Sequence, residues 1–342
     1  MSVLVGRDTR VLVQGVSGRL GAYHTERMLE YGTRVVAGVT PGRGGADVHG
    51  VPVFDTVKEA VEASGATASV VMVPPPFAAD AIMEAADGGI GLTVAITDGI
   101  PARDMIRVKR YMRRYRAERR MRLLGPNTAG VIVPERTLLG VVPTEIHRPG
   151  RVGLVTRSST LGYEAAVQLG ALELGVSTAV GIGGGPIGGS AFVDMLPLFE
   201  ADPDTDLILL IDESGSAYEP EIVDWIVGRG GLPKGEGERR RASAGERSAG
   251  SADGDRGADG RGDGDRVDSR ADAPLERKPV VALMGSHGLG QGALAGHVGV
   301  LMSAFGERTS DMRSLLGAAG VTLVPHPAAI GETVAEALAG AG

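Results

Sequence analysis

A glycine-rich loop near the start of the chain has the residue types that hold phosphate groups. Residues 15–21 read Gly-Val-Ser-Gly-Arg-Leu-Gly, after the apolar run 11–14 and before a helical stretch. Glycines let the chain turn sharply and let backbone N–H groups approach a phosphate at the start of a helix. By itself this signal is weak, because many strand–turn–helix units carry glycine only for packing.

The next predicted strand, residues 34–40, narrows the choice of ligand. A unit that binds NAD carries Asp or Glu about 20 residues after the glycine loop, where it binds the ribose hydroxyls. Here the strand is followed by Pro41-Gly42-Arg43, which contains no carboxylate. The guanidinium of Arg43 suits a phosphorylated nucleotide, so the residues disfavour NAD and leave NADP and coenzyme A (CoA) open.

A second glycine-rich loop, residues 288–299, contains a histidine that is suited to phosphoryl transfer. The neutral imidazole of His297 is a good nucleophile near its pKa and accepts a phosphoryl group with little activation. The chain has six histidines, and the competitor in the same stretch is His287, ten residues upstream. Because the glycines around His297 allow backbone access and loop movement, we favour His297.

Hydroxyl groups are concentrated where a predicted strand, residues 151–156, joins a predicted helix. The junction, residues 156–160, reads Thr-Arg-Ser-Ser-Thr and presents hydroxyls and N–H groups at the positive end of a helix dipole. Residues 181–190, which are mostly glycine, offer a further loop of a size that suits phosphate.

Short β-branched runs alternate with helical stretches in both halves of the chain. The predicted strands are residues 11–14, 34–40, 68–74, 92–97, 151–156, 177–182, 207–211, 279–284 and 322–324. The predicted helices are residues 21–31, 78–87, 161–174, 191–200, 219–227, 310–319 and 330–338. This alternation argues for an α/β protein with two doubly wound domains and largely parallel sheets. We expect the domains at residues 1–124 and 125–342, with their boundary near 124–150.

Composition excludes several classes of function. Of the 342 residues, 35 are Lys or Arg and 42 are Asp or Glu, and the net charge of −7 argues against a nucleic-acid partner. Cysteine is absent, which excludes disulfides, thiolate metal sites and a cysteine nucleophile, and we expect no metal site. No run approaches the ~20 apolar residues of a membrane span, and the N-terminus lacks the pattern of a secretory signal. We therefore expect a cytoplasmic protein that does not bind membranes.

Two charged segments are interpreted as solvated parts of the chain. Residues 235–277 hold 9 glycines, 9 arginines and 11 acidic residues, and this composition cannot bury enough apolar surface to offset its chain entropy. We predict that this segment is disordered. Residues 104–122 are rich in arginine, and their apolar residues follow a helical stripe, which predicts an amphipathic helix with its arginines in solvent.

Five motifs, beginning with the first glycine loop, occur in a fixed order along the chain. They are Gly15-Val-Ser-Gly-Arg-Leu-Gly-Ala-Tyr-His24, Gly38-Val-Thr-Pro-Gly-Arg-Gly-Gly45, Val73-Pro-Pro-Pro-Phe77, Ile96-Thr-Asp-Gly-Ile-Pro101 and Gly125-Pro-Asn127. In this order they resemble the α subunit of succinyl-CoA synthetase (succinate–CoA ligase), over nearly the whole chain except residues 235–277. The resemblance implies an N-terminal CoA-binding Rossmann-like domain followed by a flavodoxin-like CoA-ligase domain. The CoA-binding residues that it implies are Ser17, Gly18, Arg19, Leu20, Arg43, Ile96, Thr97 and Asp98.

The resemblance also implies catalytic residues in the second domain. The family's phosphorylated histidine matches His297, in the motif Gly296-His-Val-Gly299. Alignment on Gly215-Ser-Ala217 places Asp212, with Glu213 beside it, where the family has the carboxylate that orients the histidine. The positions that match substrate-binding and phosphate-binding residues are Tyr163, Ser158, Ser159 and Thr160.

The activity implied by the resemblance is that of an acid–thiol ligase of the tricarboxylic acid cycle. Succinate, CoA and ATP or GTP would give succinyl-CoA, ADP or GDP, and phosphate, through phosphorylated His297. The chain has no P-loop motif, so ATP or GTP with Mg would bind to a β subunit, with which the chain would form a hetero-oligomer.

Several loops depart from the family pattern and keep alternatives open. Glycine stands in Gly184-Gly-Pro186 where the family has aspartate, and Ser159 replaces a glycine. These departures fit a divergent member with an inserted low-complexity segment. Such a member would use a different carboxylic acid, or it would be a CoA-binding paralogue with altered catalysis.

Overall fold

The computed structural model describes residues 3–185, 187–212, 219–228, 277–284 and 308–340. Two of the predicted catalytic residues, Glu213 and His297, lie outside these ranges. The segment predicted to be disordered also lies outside them, except for Arg277. No helix within the described ranges is long and apolar enough to span a membrane.

The first half of the chain forms a seven-stranded sheet. Its strands are β1 (Val11–Gln14), β2 (Val35–Val39), β3 (Asp47–Val48), β4 (Val51–Phe54), β5 (Ala68–Val71), β6 (Leu92–Ala95) and β7 (Arg122–Leu124). The order is β3-β4-β2-β1-β5-β6-β7, and every pair is parallel except β3–β4. All residues of β1 and β5 are buried, as expected for a parallel sheet with helices on both faces.

The helices of this half connect the parallel strands. They are α1 (Arg19–Glu30), α2 (Val57–Ser64), α3 (Pro75–Asp87) and α4 (Ala102–Met112), followed by a 3₁₀ turn at Ala117–Arg119. The sequence sets the ends of α2 by local chemistry. The Thr56 hydroxyl accepts a hydrogen bond from the Glu59 N–H at 3.2 Å, and Gly65 ends the helix with a φ of 64°.

The second half forms another seven-stranded sheet. Its strands are β8 (Gly130–Val133), β9 (Thr137–Gly140), β10 (Pro149–Thr156), β11 (Val176–Gly181), β12 (Leu207–Asp212), β13 (Val280–Met284) and β14 (Thr322–Leu323). The order is β14-β13-β12-β10-β11-β8-β9; the pairs from β14 to β11 are parallel, and β8 is antiparallel to both neighbours. The helices are α5 (Ser159–Ala171), α6 (Phe192–Glu200), α7 (Glu219–Gly228), α8 (Arg308–Ala318) and α9 (Ile330–Ala339), with a 3₁₀ turn at Pro327–Ala329.

This architecture confirms the predicted α/β class with two largely parallel sheets. The predicted helix over residues 104–122 is wrong in its extent, because α4 ends at Met112 and β7 pairs with β6. Met121 and Leu123 pack in one buried cluster and Leu124 packs in the other, so successive side chains lie on opposite faces, as in a strand rather than a helix. The stretch interpreted as a domain boundary contains the β8–β9 hairpin.

The helix α1 is held against the β8–β9 hairpin of the second sheet. The Thr33 hydroxyl donates to the Leu138 carbonyl oxygen at 2.8 Å and accepts from the Leu138 N–H at 2.9 Å. The Glu135 N–H donates to the Tyr31 hydroxyl at 2.9 Å. These bonds at the end of α1 fix the position of the first glycine loop relative to the second sheet.

Candidate functional site

The first glycine loop places the start of α1 directly against strand β1. Gly15 has a φ of 83°, and a Cβ atom at Gly21 would lie 2.1 Å from the Gly15 carbonyl oxygen. A side chain at position 21 would therefore push the helix away from the strand. Gly18 precedes α1 without a side chain to cap it, and the first turn carries no acidic residue. This helix start suits an anion, whose charge the helix dipole would stabilise.

The predicted CoA-binding residues of the first two loops lie at one edge of the sheet. Residues 17–20 are exposed there, and the Ser17 hydroxyl donates to the Thr40 hydroxyl in the loop after β2 at 3.1 Å. Arg43 is exposed in that loop, where the Gly44 N–H donates to Asp55 Oδ1 at 2.9 Å. The structure thus brings together Ser17, Gly18, Arg19, Leu20 and Arg43.

The loop after β6 reaches the same edge, because β1 and β6 are both neighbours of β5. Thr97 is buried, and its hydroxyl donates to the Val73 carbonyl oxygen at 2.7 Å. Ile96 is half-buried against the core. Asp98 is exposed, and its Oδ1 accepts the Gly99 N–H at 2.7 Å, which is the geometry of a loop cap.

The middle of this edge, between the two loops, is apolar. Helix α3 starts with Pro75 and Pro76, which have no N–H, so it offers fewer donors to a phosphate than α1 does. The side chain of Phe77 is 63% exposed in the first turn of α3, and Leu20 is 51% exposed in the first turn of α1. The edge therefore combines a polar helix start with an adjacent apolar surface.

The hydroxyl-rich junction of the second sheet lies at the carboxyl end of β10. The Thr156 hydroxyl donates to the Ser158 carbonyl oxygen at 2.7 Å and accepts from the Ser158 N–H at 3.0 Å. The Ser158 and Thr160 hydroxyls are 3.2 Å apart, and Ser158 precedes α5. Ser159 is half-buried at the first position of α5. The structure thus collects Ser158, Ser159 and Thr160 at one helix start.

Asp212 ends strand β12 beside this junction and faces an arginine that the sequence analysis did not assign to the site. Asp212 is buried, and its Oδ1 lies 3.9 Å from Nε of Arg157. Arg157 Nη2 also donates to the Gly185 carbonyl oxygen at 3.0 Å. Arg157 therefore links the strand-end carboxylate to the glycine loop after β11. Its position between Thr156 and Ser158 was the signal that could have identified it.

Tyr163 packs against a second unassigned residue, His147. The two rings are perpendicular, with centroids 6.4 Å apart. Burial lowers the pKa of His147, partly opposed by its hydrogen bond to the Pro143 carbonyl oxygen. That bond joins Nδ1 to the oxygen at 2.7 Å, and because a carbonyl only accepts, Nδ1 carries the hydrogen. Burial raises the pKa of Tyr163, partly opposed by a hydrogen bond with Ser159.

A small cavity separates these groups from the strand ends. Its volume is about 20 Å³, enough for roughly one water molecule. The residues around it include His147, Tyr163, Ser159 and Thr156, together with apolar residues of β10 and β11, and its surface is mostly apolar. His147 lies in the stretch that was expected to contain the domain boundary, residues 124–150, and its burial beside Tyr163 depends on tertiary packing.

Three residues connect the edges of the two sheets. The Asn127 N–H donates to the Thr97 carbonyl oxygen at 3.0 Å, and the Gly184 N–H donates to the Asn127 carbonyl oxygen at 3.2 Å. The Gly125 N–H donates to the Ile182 carbonyl oxygen at 3.2 Å. The loop with the predicted CoA-binding residues is therefore bonded through residues 125–127 to the glycine loop that Arg157 contacts.

Comparison with known proteins identifies both halves of this arrangement. Residues 6–99 match the CoA binding domain family, and residues 155–227 match the CoA-ligase family. The malate–CoA ligase subunit alpha of Methylorubrum extorquens is 45% identical over 339 residues, which cover 99% of each chain. The ADP-forming succinate–CoA ligase subunit alpha of Aquifex aeolicus is 41% identical over 339 residues, covering 99% of this chain and 95% of that one.

A solved structure shows the same fold. ATP citrate lyase from Methanothrix soehngenii, in complex with citrate and coenzyme A, superposes on 98% of this chain with a TM-score of 0.73 at 20% identity. This chain spans 50% of the length of that one. The fold and the family matches define the class, a CoA-binding domain followed by a CoA-ligase domain, as predicted. The chain belongs to the family of CoA-ligase α subunits.

Proposed function

We propose that this chain is the α subunit of a nucleoside-diphosphate-forming ligase that joins succinate to CoA. The observation that supports the proposal is the bonded connection, through residues 125–127, between the two sheet edges whose helix starts suit an anion. One edge lies in the CoA-binding domain and the other in the CoA-ligase domain. A ligand such as CoA, with phosphates at one end and a reactive thiol at the other, has the chemistry to use both edges.

Different groups of the first edge would bind the phosphates and the uncharged arm of CoA. The start of α1, with Ser17, Gly18, Arg19 and Leu20, would take the phosphates, and exposed Arg43 would add a positive charge. The apolar surface at Phe77 would cover the uncharged arm of CoA. The loop that holds Ile96, Thr97 and Asp98 would direct this arm toward Asn127, because Thr97 is bonded to Asn127.

The second edge would carry out phosphoryl transfer. His297 would attack the terminal phosphorus of ATP or GTP, and the nucleoside diphosphate would leave. The phosphoryl group would then pass to a succinate carboxylate to form an acyl phosphate. The Asp212 carboxylate, or its neighbour Glu213, would orient the imidazole of His297 and stabilise its charged form. The nucleotide and its Mg would be bound by a β subunit.

The hydroxyl-rich junction would hold the phosphate during these steps. Ser158, Ser159 and Thr160 stand at the start of α5, where N–H groups and the helix dipole favour a negative charge. Tyr163, in the next turn of the helix, would contact the carboxylate substrate. In the last step the CoA sulfur forms a bond to the acyl carbon and the bond from that carbon to the phosphate oxygen breaks. The phosphate leaves with the thiol proton.

The test is phosphorylation of the α chain by radiolabelled ATP in complex with its β subunit. We expect acid-labile label on the wild-type chain and on His287→Asn, and none on His297→Asn. Label that survives in His297→Asn would overturn the assignment of the phosphorylated residue. CoA binding without any labelling of the wild type would instead support a CoA-binding paralogue with altered catalysis.

Malate is the second candidate acid, because the relative named malate–CoA ligase is 45% identical over 99% of both chains. The two acids differ by one hydroxyl, and a site that hydrogen-bonds this hydroxyl discriminates strongly against an acid without it. The deciding measurement is kcat/KM for each acid with the assembled complex at saturating CoA and ATP. A higher kcat/KM for malate than for succinate would identify malate as the substrate.

A further inference from the structure

Asn127 occupies the point at which the two edges of the site are joined. Its N–H donates to the Thr97 carbonyl oxygen, and its carbonyl oxygen accepts from the Gly184 N–H. Its side chain is exposed, and its backbone adopts a φ of 56°, in the left-handed region. Main-chain bonds thus hold the residue from both sides while its amide remains accessible.

The amide group of Asn127 lies over the glycine loop of the second domain. A Cβ atom at Gly184 would lie 3.9 Å from Asn127 Nδ2 and 3.3 Å from the Arg157 carbonyl oxygen. A Cβ atom at Gly183 would lie 2.2 Å from the Pro126 carbonyl oxygen. Because positions 183 and 184 are glycines, this loop lies close to residues 125–127, and neither position has a side chain that could cover the Asn127 amide.

The residue type at this position is not explained by the backbone alone. Glycine adopts a positive φ with less strain than asparagine does. Gly125 and Pro126 have no polar side chain, so within the three-residue connection Asn127 provides the side-chain donor. An amide presents two N–H donors and a carbonyl acceptor, which suits an acyl carbonyl or a carboxylate.

We propose that Asn127 is a catalytic residue of the acyl-transfer step, which rests on the function proposed above. Its Nδ2–H donates a hydrogen bond to the carbonyl oxygen of the acyl phosphate while the CoA sulfur attacks. A carbon–sulfur bond forms, the carbon–oxygen bond to phosphate breaks, and phosphate departs with the thiol proton. Negative charge develops on the carbonyl oxygen during the attack, and a donor fixed at that oxygen stabilises it.

The substitution Asn127→Gly tests this role, because glycine keeps the positive φ and both main-chain bonds but removes the amide. The matched control is Glu173→Gly, which replaces another exposed residue with a positive φ, 59°, at the far end of α5. Both variants are assayed in complex with the β subunit for CoA affinity, for phosphorylation by ATP and for thioester formation.

We expect Asn127→Gly to lower kcat for thioester formation by about 100-fold, the effect of removing one such donor. CoA affinity and phosphorylation should stay at wild-type values, and Glu173→Gly should match the wild type in all three assays. Thioester formation by Asn127→Gly within about 3-fold of the wild type would overturn the role. Equal losses in all three assays would also overturn it, because they would indicate a structural role. A wild-type complex that forms no thioester would overturn the proposed function itself, and this inference with it.

Discussion

Arg157 and Asp212 form a nearly inaccessible ion pair between neighbouring parallel strands of the second sheet. Nε of Arg157 lies 3.9 Å from Oδ1 of Asp212, and the two side chains are 10% and 1% exposed. The residues follow β10 and end β12, so the strand order places the pair at the carboxyl edge of the sheet. A charge buried at this depth is stabilised by its oppositely charged partner, because water cannot reach the charge to solvate it.

The first prediction concerns the stability that depends on this pair. Asp212→Asn should lower the free energy of unfolding by about 3 kcal/mol, because it removes one charge of a buried ion pair and keeps the other charge buried. The matched control is Asp80→Asn, which removes the partner of Arg107 from an ion pair whose side chains are 58% and 68% exposed. Asp80→Asn should lower the free energy of unfolding by less than about 1 kcal/mol. Urea unfolding of both variants measures the difference, and equal losses would contradict the prediction.

The second prediction concerns the dependence of stability on pH. Burial holds the pKa of His147 below its ordinary value of 6.5, so near and below that pH the unfolded chain binds more protons than the folded chain. Stability should therefore fall as the pH falls through 6.5 toward the lowered folded-state pKa. His147→Gln removes this titration and should reduce the loss of stability between about pH 7.5 and about pH 5.5.

His24 provides the comparison for this experiment. Burial and the charge of Arg27 also lower the pKa of His24, so its effect on stability has the same sign. His24 is less deeply buried than His147, so His24→Gln should change the pH dependence less. The measurement is the free energy of unfolding at both pH values. An unchanged pH dependence in His147→Gln would contradict the prediction.

Much of the fold was predictable from the sequence because its strands have a strong local signal. The run from Leu207 to Asp212 is buried at every position, and its apolar composition predicted a strand over residues 207–211. The three residues of β7 were missed, since a strand of this length gives too little periodicity beside an arginine-rich helix. The β8–β9 hairpin was missed because its end glycines resemble a linker, although a Cβ atom at Gly130 would lie 2.0 Å from the Leu139 carbonyl oxygen.

The contacts of the candidate site were less predictable because they depend on strand order. Asp212 and Arg157 are far apart in sequence, and they meet because β10 and β12 are neighbours in the sheet. His147 lies in the stretch that was expected to contain the domain boundary, and its environment is created by packing against Tyr163. By contrast, the first glycine loop is local in sequence, so its position between β1 and α1 was predicted correctly.

The third prediction tests the close approach within that loop. Gly21→Ala would place a Cβ atom 2.1 Å from the Gly15 carbonyl oxygen, so the start of α1 must move. Overpacking of this kind costs about 1–3 kcal/mol, and the displaced helix start should weaken CoA binding. Gly91→Ala is the control, because its Cβ atom would meet the Thr67 carbonyl oxygen at an ordinary 3.7 Å. Calorimetric titration with CoA and thermal unfolding measure the two effects. Wild-type CoA affinity in Gly21→Ala would show that the helix start does not contact the ligand.

The fourth prediction separates the two parts of the edge that we propose binds CoA. Phe77 is 63% exposed, so Phe77→Ala should change stability by less than about 0.5 kcal/mol. If its ring covers the uncharged arm of CoA, the loss of about 1 kcal/mol of apolar contact weakens CoA binding about five-fold.

Adenosine 3′,5′-bisphosphate carries phosphates but lacks the arm, so its affinity for Phe77→Ala should equal that for the wild type. Leu172→Ala, at a side chain that is 48% exposed beyond the end of α5, is the control for loss of an exposed apolar group. Titrations of all three proteins with both ligands decide the outcome. A parallel loss of affinity for both ligands in Phe77→Ala would place the ring at the phosphate end of the site instead.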